Sequence, residues 1–122
     1  MELKNINTKN LYYASNKLST YANEIYAEVK TAHKLMCEGF ITETQYAAIK
    51  EDREQKMAPY ENGADLLTRF ANAVNAQLAM ETSGDIMAEF MAANAEPVDS
   101  FDLEAVNAAV SRATGLDDPM PC

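Results

Sequence analysis

Among the residues able to do chemistry, His33 and Cys37 stand out because they are four positions apart. On a helix that spacing puts an imidazole and a thiol on one face, where they could ligate a metal or act as base and nucleophile. A structural zinc site wants four ligands, so Glu38 or Cys122 would have to be recruited. For nucleophilic catalysis, no third group is in place to orient the imidazole. The expectation is an ordinary, partly exposed His33 and a small buried Cys37.

The carboxylate clusters Asp117/Asp118 and Glu51/Asp52/Glu54 could in principle do acid–base work or hold a divalent cation. Acid–base work needs a carboxyl raised in pKa by burial, and these groups sit among polar neighbours. They read as solvated helix faces. The chain contains no glycine-rich phosphate loop, no EF-hand ligand spacing and no HExxH. A non-enzymatic protein is expected, with no catalytic or metal-binding residue, no cofactor and no small-molecule substrate.

These residues stand on elements that read as helices throughout. Of 122 residues, 48% are apolar and twenty are Ala, the best helix former; β-branched residues never alternate over a strand's length. The fold class expected is all-α, with four to five helices. Leu11, Ser15, Leu18, Ala22, Ile25, Val29, Ala32 and Met36 recur at steps of three and four, which predicts a first helix over about 8–37, capped by Thr8 and closed by Gly39. At 1.5 Å per residue it is a rod of about 45 Å.

The sharpest local signal follows. Thr42-Glu43-Thr44-Gln45 reads as a capping box, and Ile41 with Tyr46 as a hydrophobic staple around it. With Gly39, this predicts a tight hairpin between the first helix and a second over about 42–57. The string Gly39-Phe40-Ile41-Thr42 followed by Tyr46 resembles the short C-terminal helical hairpins of SHOCT type found in bacterial and phage proteins, over about a tenth of the chain. The capping chemistry by itself accounts for those residues.

Pro59 is expected to end the second helix, since proline lacks a donor and restricts the residue before it. Asn62-Gly63 is expected to form a turn, or Asn62 to cap a third helix running to about Met80 with Leu67, Phe70, Ala71, Val74 and Leu78 inward. A break at 82–85, a short fourth helix with Ile86, Met87, Phe90 and Met91 on its apolar side, and a stop at Pro97 complete the pattern. A fifth helix is expected from an Asp99 cap, with Val98 and Leu103 as a staple and Gly115 as its end. The chain thus divides into a long hairpin (1–58), an acidic Ala- and Met-rich helical part (59–116) and an irregular tail (117–122), the first two forming one domain.

Charge is segregated along this order. Residues 1–37 carry five Lys against three Glu, net +2; residues 38–57 are −2; residues 58–122 hold two Arg against eleven acids, net −9. The whole chain is −9, the wrong sign for phosphate backbones or anionic lipid, so no nucleic-acid or membrane binding is expected. Residues 1–5 lack the apolar run of a signal peptide, and no apolar stretch approaches the ~20 residues of a membrane span. An intracellular protein in a host cytoplasm, or a virion component, is expected. Cys37 and Cys122 read as reduced thiols, with a bridge between them or between chains as the alternative.

All six Tyr lie at or before position 60. Tyr12 and Tyr26 fall on the flanks of the first helix's apolar stripe, and Phe40 falls in the hairpin turn. Tyrosine is enriched at protein interfaces, so these three are the candidate contact residues, unless the tyrosines cover other helices of the same domain. The function expected is a structural or assembly subunit, a homo-oligomer or a member of a larger hetero-assembly such as a bacteriophage virion. The alternative is an acidic inhibitor that mimics nucleic acid and blocks a host nuclease or defence protein, although long Ala stretches interrupt its charge.

Overall fold

The computed structural model describes residues 5–83, 86 and 96–117. Among them the chain is all-helical: α1 spans Thr8–Cys37, α2 spans Glu43–Ser83, a short 3₁₀ turn covers Val98–Ser100, and α3 spans Leu103–Asp117. No helix of the described residues is long and apolar enough to cross a membrane.

Helix α1 has the expected limits, and its periodic positions Leu11, Ser15, Leu18, Ala22, Val29 and Ala32 are buried. Its cap is Asn7 and not Thr8: the Asn7 side chain accepts from the Asn10 backbone N–H at 3.1 Å. The C-terminus closes as a Schellman motif. Gly39, at φ +83°, donates to Met36 O at 3.0 Å and Phe40 donates to Leu35 O at 2.9 Å. The capping box then starts α2, with Gln45 N–H donating to Thr42 Oγ1 at 3.0 Å and Thr42 N–H to Gln45 Oε1 at 2.8 Å. These two local motifs turn the chain back on itself within five residues.

Three described α-helices replace the expected four to five, because the second and third are one. Helix α2 runs through Pro59, Asn62 and Gly63 without interruption. An interior proline costs about 3 kcal/mol. Here Pro59 lies on the exposed side, while Met57 before it and Ala64, Leu67, Phe70, Ala71 and Val74 after it are buried. Fully burying one Leu or Val contributes about 1.5–3 kcal/mol, so continuing a seam of that size outweighs one missing backbone bond. The expected fourth helix lies outside the described residues, apart from the exposed Ile86.

The fifth expected helix, α3, starts later. Val98–Ser100 is a 3₁₀ turn, and the cap is Asp102 in place of Asp99, its Oδ1 accepting from the N–H groups of Glu104 and Ala105 at 3.0 and 3.4 Å. Two of the first turn's orphan donors are thereby satisfied by a residue four positions downstream of Val98. Gly115 lies inside the helix and not at its end. Beyond Asp117 the expected tail lies outside the described residues.

The three helices share one apolar cluster, made by Leu11, Ala14 and Leu18 of α1, Ala64 to Val74 of α2, and Val106, Ala109 and Ala113 of α3, with Phe101 set edge-on to Phe70 at 5.3 Å. Gly63 sits where all three meet. A Cβ there would lie 3.0 Å from Leu18 Cδ1 and 3.5 Å from Ala109 Cβ. Beyond this cluster, α1 and α2 continue toward the turn as a hairpin arm, with Ala22, Val29, Ala32 and Met57 buried along their common seam.

Candidate functional site

An antiparallel hairpin pivoting near residue 40 places residues at equal distance from the pivot opposite one another. Tyr21 stacks obliquely on Tyr60 with centroids 4.6 Å apart, and His33 sets edge-on to Tyr46 at 5.4 Å. Arg53 Nε donates to Glu28 Oε2 at 2.8 Å across the helices and also pairs with Asp52. This cross-helix register was legible in principle from the turn position, yet no spacing along the chain marks Glu28 and Arg53 as partners.

Tyr12 is spent inside the chain. Its hydroxyl donates to Asn72 Oδ1 and accepts from Asn75 Nδ2 at 3.2 Å, and its ring packs against the central cluster. Both partners lie on α2, so Tyr12 fastens α1 to α2. Nearby, the buried Ser15 hydroxyl donates to Ala64 O at 2.7 Å and lies 2.7 Å from Thr68 Oγ1. That satisfies the one buried polar group of α1's inner stripe.

Tyr26 and Phe40 are placed differently. Phe40, 73% exposed, stands at the apex between the Schellman motif and the capping box, so its backbone is held while its ring faces solvent. Tyr26, 43% exposed, lies on the flank of the arm with Lys30 Nζ 5.2 Å from its ring centroid. It borders a shallow groove of about 300 Å³ with Val29, Lys30, His33 and Tyr46. Cys37, expected to be buried, is exposed; as the last residue of α1 it lies past the stripe that faces α2. Its Sγ is 3.8 and 3.9 Å from the two ring nitrogens of His33. Among the described residues, no group of three His, Cys, Asp or Glu side chains converges as a metal site.

On the opposite flank a groove of about 440 Å³ is lined by Tyr21, Ile25, Glu28, Arg53, Lys56, Pro59, Tyr60 and Arg112. Arg112, from α3, lies 5.7 Å from the Tyr60 centroid. The cationic lining is largely neutralised in place. Lys56 and Arg53 hold the Asp52 carboxyl below the ordinary carboxylate range, and Glu28, with Asp52, holds Arg53 above its own. In the acidic half, Arg69 makes a two-pronged pair with Glu96 at 2.6 and 2.7 Å, and also reaches Asp65 at 3.3 Å. Its guanidinium lies over Phe101, 5.5 Å from the centroid.

No family model, curated protein or solved structure matches this chain.

Proposed function

We propose that the chain is a non-enzymatic subunit of a larger protein assembly, a virion being one such assembly, and that it makes its contacts through the hairpin arm. The supporting observation is the arm itself. Its inner seam is closed by Val29, Ala32 and Met57, while a rigidly held Phe40 and the groove-lining Tyr26 remain exposed. An aromatic side chain on a pre-ordered element loses little entropy on docking, which makes it a suitable anchor. Tyr12 belongs to the fold of the subunit, fastening the base of the arm.

The ion pairs favour this reading over mimicry of nucleic acid. Asp52, Glu54, Asp65 and Glu96 each have a Lys or Arg partner, which breaks the continuous negative array a mimic would present. Light scattering on the purified chain at low and high salt tests the proposal. A multimer that persists in high salt is expected, and Tyr26→Ala should weaken it more than charge reversal at Lys17 or Lys34. Association lost steeply with salt, or broken by the charge reversals and not by Tyr26→Ala, would sink the aromatic contact.

A further inference from the structure

Of the ten Lys and Arg in a chain of net charge −9, three line the groove of about 440 Å³ on the flank of the arm away from Tyr26. A cleft that gathers one sign of charge focuses its field on whatever enters. Two of the three cations have partners: Arg53 bonds Glu28 at 2.8 Å and Lys56 bonds Asp52 at 3.2 Å. Arg112 differs. Among the described residues no carboxylate lies within ion-pair distance of it, and its guanidinium lies over the Tyr60 ring, 5.7 Å from the centroid. A guanidinium set over a ring spends its face on the π-system and keeps its N–H fork at the edge, where an oxyanion can accept two hydrogen bonds.

The rest of the lining is apolar and short. Tyr21 and Tyr60, with ring centroids 4.6 Å apart, form a wall with Ile25 and Pro59 beside that fork. The Glu28–Arg53 bond crosses from α1 to α2 at the end of the groove nearer the turn, and Arg112 of α3 marks the other end. From Tyr21 to Glu28 is seven positions of α1, about 10 Å. An extended peptide rises about 3.3 Å per residue, so only about three of its residues would lie between those limits. The volume, by contrast, falls in the range of small-ligand sites, roughly 300–1,000 Å³. We infer that this groove binds a small organic anion, with a flat apolar body against Tyr21 and Tyr60 and one carboxylate or phosphate group on the Arg112 fork. The inference does not rest on the proposed assembly contacts, since Tyr26 and Phe40 line no part of this groove.

The test is a titration of the full chain, followed by amide proton–nitrogen correlation spectra, with naphthyl phosphate, naphthoate, the neutral naphthalene methanol and inorganic phosphate. Both naphthyl anions should saturate and shift the amides of residues 21–28, 53–60 and 112, and the neutral alcohol should bind at least tenfold more weakly. Arg112→Gln should lower the affinity for both anions about tenfold, the loss expected for a hydrogen bond to a charged group. Because Arg112 is exposed, the variant's spectrum away from the groove should match the parent's, which confirms an intact fold. Lys34→Gln, outside the groove, should bind as the parent does. Equal binding of the neutral alcohol, shifts centred elsewhere, an unchanged affinity in Arg112→Gln or no saturation at millimolar ligand would each overturn the inference. So would inorganic phosphate binding as tightly as naphthyl phosphate, which would leave the apolar wall without a part. A tetraglutamate peptide that binds more tightly than the naphthyl anions would assign the groove to an acidic protein partner and overturn it too.

Discussion

Gly63 of α2 lies against Leu18 of α1 so closely that a Cβ on Gly63 would come within 3.0 Å of the Leu18 Cδ1. Leu18 is 0% exposed and has no room to retreat, and Ala109 of α3 closes the other side at 3.5 Å. Replacing a helical glycine by alanine returns about 1 kcal/mol of helix propensity, while overpacking a tight core costs about 1–3 kcal/mol. For Gly63→Ala the net runs from about zero to a loss of about 2 kcal/mol. Gly63→Val adds two more carbons and should lower stability by about 2 kcal/mol or more, as urea unfolding would register. In a Leu18→Ala background the same substitution should cost less, because the space is then available. Equal costs in both backgrounds would show that the contact is not what restricts position 63.

Pro59→Ala restores a backbone donor on the exposed side of α2 and removes the ring's clash with the carbonyl four residues back. The variant should be more stable by about 1–3 kcal/mol, with a higher urea midpoint and an unchanged slope. A loss of stability would mean that the proline ring at position 59 itself contributes to the packing of α2 on α1.

Tyr12→Phe keeps the ring against the core and removes the hydroxyl that bonds Asn72 and Asn75. It should cost about 0.5–1.5 kcal/mol in thermal or urea unfolding, whereas Tyr12→Ala should cost about 3 kcal/mol or more through lost packing. Neither should change the mass of the folded protein in solution.

Arg69 holds the Glu96 carboxyl below its ordinary value of 4.5. A group with a depressed folded-state pKa stabilises the fold above its unfolded pKa and loses that contribution as pH falls through the folded value. Acidification below about pH 4.5 should therefore release the strap that Arg69 makes to the segment before the 3₁₀ turn. In Arg69→Gln, part of the drop in melting temperature between pH 7 and pH 3 should disappear. Added salt should narrow the difference between variant and parent, since both side chains of the pair are solvent-exposed. An acid dependence that is the same in both proteins would show that other carboxylates carry it.

What could be read from residue order alone is what local chemistry completes within one or two turns. The limits of α1, the glycine turn at Gly39 and the reciprocal Thr42/Gln45 bonds involve partners at most five positions apart, so the sequence that names them also places them. The all-α class follows from the same short-range periodicity.

Long-range packing settled the rest. Pro59 and Gly63 carry the local marks of a break and a turn, but the seam with α1 continues on both sides of them, and burial there outweighs the local preference. Asp102 takes the capping role that Asp99 could equally have filled, which no pattern of spacing distinguishes. Tyr12 and Tyr26 look alike on a lone helix. One is consumed by Asn72 and Asn75 and the other remains on the surface, because only the three-dimensional path of α2 determines which flank of α1 it covers.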